Sequence, residues 1–379
     1  MEKCNVRGCG GCDLLQLSYE ETVKQKYNKV KKLFKDKKFN INIEKIIPAK
    51  QHYQYRNKMI VAYQLQNGKI VHGFFQENSH KVIPMDKCLM HTDIQNNIAS
   101  YIKEIMIKLK LKPYDEDRRI GLIRYALIKH AFKSNEVMVV IITSSDIFPG
   151  RGDFVKLLRN KFPEITTIIQ NINPRKTSIV LGEKERILFG KGYITEFLED
   201  FKFKISSKSF FQVNPEQTVN LYNTVLEFAG LKGTEIVLDA YSGVGTIGMF
   251  LSRKANQIVS VESNKQAVTA AISNARDNNI KNISFVCDDA TNYITNLAKE
   301  NIKLDVLVLD PPRTGSTTQF LNAAINLKPN KIIYVSCEPT TLVRDLEILN
   351  KQYNINRVIL VDMFCWVDHV ESVVLMSRK

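Results

Sequence analysis

The spacing of apolar positions divides the chain into a helical start, a β-rich middle and an alternating end. After a cysteine-rich opening, residues 19–38 predict a helix with a strongly basic surface. From 41 to about 201, short β-like runs dominate, at 58–65, 69–75, 137–143 and 167–171. Asn67-Gly68 and Pro149-Gly150 punctuate them as turns, and a helix is predicted at 92–111. No internal repeat or low-complexity tract interrupts this pattern.

Beyond residue 202 the period changes. Apolar β-rich runs occur at 236–238, 258–261, 283–286, 306–309, 332–335, 358–361 and 373–376. Helical stretches such as 265–277 and 340–350 separate most of them, but the last two runs have no helix between them. This order predicts an open, doubly wound α/β sheet, mostly parallel, with one antiparallel strand near its end. Two domains are expected, 1–201 and 202–379. Ligands of such sheets bind beyond the carboxyl ends of the strands, so the loops there carry the candidate chemistry.

Charge sharpens the division. The formal net charge is +15, and residues 1–200 hold 35 Lys and Arg against 22 Asp and Glu, while the remainder holds 19 against 17. A basic half beside a near-neutral half suits a polyanion-gripping part joined to a chemical part. The densest apolar stretch, 137–142, is far too short to span a bilayer, and the start has no apolar leader core. A cytoplasmic protein without membrane contact is expected. The 7 cysteines form no secretory disulfide framework. Cys4, Cys9, Cys12 and Cys88 lie in the first quarter, and Cys287, Cys337 and Cys365 in the last third.

The first strand of the alternating region runs into Asp239-Ala-Tyr-Ser-Gly-Val-Gly-Thr-Ile-Gly248. Gly243, Gly245 and Gly248 let the backbone approach a ligand over a helix start, which suits a nicotinamide cofactor equally well. Glu262 ends the second strand, where a carboxylate can accept ribose hydroxyls; Asp289 follows the third, placed for an adenine amino group; Asp310 ends the fourth, before Pro311-Pro312-Arg313. Acids after successive strands suit S-adenosylmethionine, whose ribose, adenine and cationic methionine end each need a polar partner. The fifth strand delivers Cys337 within Ser336-Cys337-Glu338-Pro339. Uracil C5 is a poor nucleophile, and a thiolate adding to C6 converts the ring to an enolate whose C5 accepts a methyl group. The C5 proton must then leave, for which Glu371 in Asp368-His369-Val370-Glu371 is the candidate base and His369 the alternative. Gln212, in Phe210-Phe211-Gln212-Val213-Asn214-Pro215, reads as a polar group at a pocket rim. The Cys4-x4-Cys9-x2-Cys12 spacing with distant Cys88 suits zinc or an iron–sulfur cluster.

In order and spacing, Phe211-Gln-Val-Asn-Pro215, Asp310-Pro-Pro-Arg313, Ser336-Cys337 and His369-Val-Glu371 resemble the RNA uracil-5 methyltransferases. Cys9-Gly-Gly-Cys12 resembles their iron–sulfur branch, which acts on 23S ribosomal RNA. The resemblance implies a Rossmann-like class I methyltransferase domain behind a β-rich α+β RNA-binding domain. It implies Cys337 as nucleophile and Glu371 as proton acceptor. Gln212, Tyr241, Thr246, Glu262, Asp289 and Asp310 would contact S-adenosylmethionine, and Cys4, Cys9, Cys12 and Cys88 would ligate a [4Fe-4S] cluster. Two departures stand out. The small β-barrel (TRAM) RNA-binding module that precedes the cysteine motif in many relatives is expected to be absent, which leaves RNA contact to the basic domain. Leu15-Gln16 is followed by Leu17 where relatives often have His.

The expected reaction is methyl transfer to C5 of a 23S rRNA uridine by a monomer, with tRNA as the alternative substrate. An RNA cytosine-5 methyltransferase is a rival, but many of these carry a second cysteine after strand four, where Asp310-Pro-Pro-Arg313 has none. A non-catalytic RNA-binding assembly factor is the rival from another class, and it leaves Cys337 without a purpose.

Overall fold

The computed structural model describes residues 4, 6, 8–39 and 41–379. The chain opens with α1 (Tyr19–Asp36) and β1 (Lys45–Ile47). Next come β2 (Lys58–Gln66), β3 (Lys69–Phe75), β4 (Val82–Pro84), α2 (Asp93–Lys108), β5 (Ile123–His130), β6 (Val137–Thr143), α3 (Arg151–Lys161), β7 (Ile165–Ile172) and β8 (Lys184–Gly190). A hairpin of β9 (Tyr193–Leu198) and β10 (Phe201–Ser206) leads to α4 (Pro215–Ala229). The alternating region follows as β11 (Ile236–Ala240), α5 (Thr246–Leu251), β12 (Gln257–Glu262), α6 (Lys265–Asp277), β13 (Ile283–Cys287), α7 (Ala290–Lys299) and β14 (Val306–Leu309). It closes with α8 (Thr318–Leu327), β15 (Lys331–Ser336), α9 (Pro339–Leu349), β16 (Tyr353–Val361) and β17 (Glu371–Arg378).

Local chemistry sets several of these boundaries. Ser18 and Glu21 form a capping box that starts α1, and Asn214 caps α4 with Pro215 in its first turn. The Asn-Pro pair is thus a helix start, and it fixes where Gln212 leaves the chain. All of β6 is buried, as its uninterrupted apolar run requires.

The middle sheet runs β4-β3-β2-β5-β6-β7-β8, and only β6 and β7 pair in parallel. Helices α2 and α3 cover one face, sharing a core that includes Ile102, Phe154, Val61 and Ile141. Residues on the other face, such as Leu127, Val140 and Ile169, join an apolar cluster with Phe203, Leu221 and Phe250 from the C-terminal half.

The C-terminal sheet runs β1-β16-β17-β15-β14-β11-β12-β13. Every pairing is parallel except those of β17, which lies antiparallel between β15 and β16. Its outermost strand comes from before the boundary drawn at 201/202: β1 pairs with β16 from Lys45↔Ile359 to Ile47↔Val361. Helix α1 packs there too, since Val30 and Phe34 share an apolar cluster with Leu342 and Leu346 of α9. The opening segment therefore completes the C-terminal layer. No helix among the described residues is long and apolar enough to cross a membrane.

Phe34 is only 1% exposed. Phe34→Ala is expected to lower the unfolding free energy by about 3–5 kcal/mol in urea titration. A change near zero would show that α1 does not belong to the C-terminal core.

Candidate active site and cysteine cavity

The carboxyl edge of the C-terminal sheet is shaped first by the loop between β11 and α5. Tyr241, Gly243 and Gly245 all have positive φ, so the chain turns sharply out of β11. The buried carboxylate of Asp239 accepts from the Gly248 amide at 3.0 Å and the Ser260 hydroxyl at 3.1 Å, tying the start of α5 to the sheet. A Cβ on Gly248 would stand 2.6 Å from Ser260 Oγ and 2.9 Å from Asp239 Oδ2, so the third glycine serves close packing. Glu262 accepts from the Gly243 amide at 3.0 Å and the Asn264 amide at 2.7 Å, bridging this loop to the next. Asp289 caps α7, accepting from the amides of Thr291 and Asn292. Thr246 and Tyr222 share a hydroxyl contact of 2.8 Å, and Tyr241 and Ser316 one of 2.9 Å.

Opposite this loop, strand direction brings Cys337 and Glu371 together. Antiparallel pairing of β15 with β17 ends at Ser336↔Ser372. One step further along the same register lie Cys337, leaving β15, and Glu371, entering β17. Residues so opposed share a face of the sheet. Glu338 caps α9, accepting from the Thr340 amide, and the Ser336 hydroxyl accepts from the Glu338 amide at 3.1 Å, which tightens the turn under Cys337.

One cavity of about 640 Å³ collects these groups. Gln212, Tyr241, Thr246, Glu262, Asp289, Asp310, Cys337, His369 and Glu371 all line it. Its size is typical of a cofactor pocket. Arg313 also lines it, although the sequence reading gave it no task beyond its motif. Of the aromatic pair, Phe211 is core and Phe210 stands exposed at the rim.

The electrostatics are unusual. Burial, then Glu371 and Asp310, push the Cys337 thiol up to about 11, with Arg313 opposing. Glu371 is raised by burial and then by Asp310, again opposed by Arg313, and Asp310 is raised by burial and then by Asp239. Burial and Arg313 depress His369. Burial and crowding thus work against ionisation of Cys337, Asp310 and Glu371, and Arg313 works for that of Cys337 and Glu371.

A second cavity, of about 370 Å³, is lined by Cys4, Cys9, Cys12 and Cys88 together with Arg56, Lys58 and His91. All four cysteines are free thiols. Burial, then Cys88 and Cys9, drive the Cys12 thiol up to about 12. His91 Nδ1 and Arg56 Nε are buried with no hydrogen-bond partner among the described residues. Those residues contain no group of three or more His, Cys, Asp or Glu drawn together to hold a metal ion.

The tRNA (Uracil-5-)-methyltransferase family matches residues 18–379. The chain belongs to this family. It is 40% identical over 382 residues to an uncharacterized RNA methyltransferase of Caldanaerobacter subterraneus subsp. tengcongensis, covering 98% of this chain and 82% of that protein. An uncharacterized RNA methyltransferase of Halalkalibacterium halodurans is 36% identical over 374 residues, with the same coverages of 98% and 82%. Among solved structures, the Pyrococcus abyssi tRNA (uracil-54, C5)-methyltransferase in complex with S-adenosyl-L-homocysteine superposes with a TM-score of 0.81 at 27% identity, covering 98% of this chain and 86% of that one. The protein is thus an S-adenosylmethionine-dependent RNA uracil-5 methyltransferase.

For this methyltransferase the carboxyl pair has a consequence for stability. Folding raises both proton affinities, so the contribution of Asp310 and Glu371 is complete below the ordinary carboxylate range, about pH 4, and is lost as pH rises through their elevated values. The melting temperature of the ligand-free enzyme is expected to fall between about pH 5 and 8, and to fall less in Glu371→Gln. Cationic S-adenosylmethionine should stabilise increasingly over that window, and the neutral S-adenosylhomocysteine should not. Identical pH slopes for wild type and Glu371→Gln would exclude the pair as their source.

Proposed function

We propose that the methyltransferase acts on C5 of a uridine in 23S rRNA, with Cys337 as nucleophile and Glu371 as the base. The observation that carries the chemistry is the meeting of Cys337 and Glu371 across the β15/β17 register, inside the cavity of the glycine loop. Cys337, having lost its proton to solvent, adds to uracil C6, and the ring electrons pass to the O4 enolate. C5 takes the methyl group of S-adenosylmethionine, and S-adenosylhomocysteine departs. Glu371 removes the C5 proton, the C5–C6 double bond re-forms, and the thiolate leaves. Arg313 favours the ionised forms of both Cys337 and Glu371. Glu262 would receive the ribose, Asp289 the adenine and Asp310 the methionine end, while Gln212, Tyr241 and Thr246 close the walls.

The cysteine cavity supports a [4Fe-4S] cluster held by Cys4, Cys9, Cys12 and Cys88. Zinc requires all sulfurs about 2.3 Å from one point, whereas a polynuclear cluster distributes its thiolates around a larger body. Four free thiols around one cavity fit either thiolate-bound group, and the resemblance of Cys9-Gly-Gly-Cys12 to the iron–sulfur branch favours the cluster. The buried Arg56 Nε, a donor with no hydrogen-bond partner among the described residues, fits an anionic guest. A bound cluster would supply a rigid anionic core to this small-residue loop. Anaerobically purified protein should be brown and carry iron and sulfide. Cys9→Ser together with Cys12→Ser should remove the colour, and a colourless wild type with stoichiometric zinc would refute the assignment.

The likeness to iron–sulfur relatives favours ribosomal RNA; transfer RNA is the second reading, favoured by the likeness to the Pyrococcus abyssi tRNA (uracil-54, C5)-methyltransferase. Labelled cofactor offered with unmodified 23S rRNA and with unmodified tRNA decides between them, and recovery of 5-methylcytidine instead of 5-methyluridine overturns both. Cys337→Ala should abolish turnover, a loss of at least about 10²–10⁴-fold, and give no covalent complex with 5-fluorouridine RNA. Glu371→Gln should accumulate a denaturation-stable adduct with ordinary RNA, because methyl transfer proceeds while release stalls.

A further inference from the structure

The loop 362–370 between β16 and β17 contributes Phe364 and His369 to the active cavity and delivers Glu371. On its outer side it is held by the segment that starts the chain. Lys26 is fully buried, as is Asp362, and its ammonium donates to Asp362 Oδ1 at 2.6 Å, Phe364 O at 2.7 Å and Cys365 O at 3.2 Å. Three donors meet three acceptors, so the group has no capacity left over. Tyr19 donates to Asp362 Oδ2 at 2.7 Å and accepts from the Ala49 amide at 2.7 Å. One turn after Lys26, Lys29 donates to Asp368 Oδ2 at 2.7 Å and Asp368 O at 3.0 Å. The Leu14 amide donates to Trp366 O at 3.1 Å, and Trp366 Nε1 donates to His52 O at 2.7 Å.

Helix α4 grips the same loop only at its beginning, where Gln217 donates to Asp362 O and Asn214 to Met363 O. From 364 to 368, one turn bond lies within the loop, from the Val367 amide to Phe364 O at 3.1 Å, and the polar contacts with other parts of the chain come from its N-terminal part. The loop has no regular secondary structure to hold its own shape, so its path depends on these bonds.

We propose that α1 is a clamp for the active-site loop, with Tyr19, Lys26 and Lys29 as positioning residues that set Glu371 and His369 against Cys337 for removal of the C5 proton. This rests on Glu371 being the base. A loosened clamp should spare cofactor binding, thiol attack and methyl transfer, which use other loops, and slow release of the methylated product.

Lys26→Met strands a buried charge and tests folding as much as positioning. Tyr19→Phe and Lys29→Met therefore carry the test, beside Glu371→Gln and a control, Lys37→Met, which breaks the exposed Lys37–Glu347 pair farther along the chain. Full-length enzymes are compared for kcat, KM for S-adenosylmethionine, and the denaturation-stable adduct formed with ordinary RNA. For Tyr19→Phe and Lys29→Met we expect kcat down by about tenfold or more, as small displacements of reacting groups produce, with KM unchanged and adduct accumulating. Lys37→Met should match wild type. Adduct in Glu371→Gln but none in Tyr19→Phe or Lys29→Met overturns the clamp alone. No adduct in Glu371→Gln overturns the base assignment and the clamp with it. Equal loss of 5-fluorouridine RNA trapping and of release in the clamp variants also overturns it, since that is general damage.

Discussion

The reversed direction of β17 is the constraint on which this active site depends. In a sheet of parallel strands, only strand carboxyl ends reach the ligand edge, and a residue at the start of a strand lies at the opposite edge. Because β17 runs antiparallel between β15 and β16, its first residue, Glu371, arrives beside the last turn of β15. Cys337 then meets a carboxyl group across one ladder step. The register is firm, because β17 is paired on both edges and buried on both faces, with Val373 in one core and Val374 and Met376 in the other, so a slip by one residue would exchange side chains between two packed cores. Packing of Val373, Val374 and Met376 thus fixes the relation between two chemical groups that lie 34 positions apart in the sequence.

That firmness allows the pocket to hold groups that burial disfavours. Asp239, Asp310 and Glu371 crowd acidic side chains together, and the Arg313 cation opposes the shift of Glu371. Asp239 is used structurally, by Gly248 and Ser260, and so its charge effect falls on Asp310. An excess of buried carboxyls is a poor way to stabilise a fold and a suitable way to receive a cation.

Much of this arrangement was legible in the sequence. Runs of apolar residues bounded by glycines and acids located the strands of the parallel sheet, and the missing helix between the last two runs marked the reversed strand. The residues after those strands lead to a single cavity because the fold brings strand ends together. Other features carry no local signal. β1 is the tripeptide Lys45-Ile-Ile47, too short to show a period, and only its pairing with β16 reveals its place. Lys26 sits in a run of lysines that reads as solvated surface, yet its ammonium is buried on Asp362, 336 positions away. Asp289 lines the cavity as a residue read for ligand contact, and one of its oxygens, Oδ1, also caps α7, a use that its position did not announce. Whether a side chain caps, pairs or waits for a ligand is settled by distant partners, and spacing does not encode them.

The opening segment joins the two cavities. Cys12 and Cys4 pack against the apolar group formed by Tyr19, Tyr55, Cys365 and Trp366, and Trp366 belongs to the loop that ends at Glu371. Loss of order among the cysteines would therefore reach the active loop through packed side chains and through the Leu14–Trp366 hydrogen bond. The charge balance works at the other side of that loop. Methyl transfer cancels the sulfonium of the cofactor against the enolate of the ring, so that step leaves the net charge of the cavity unchanged. Glu371, proposed as the base, would then owe its readiness to Arg313, which opposes the rise in its proton affinity.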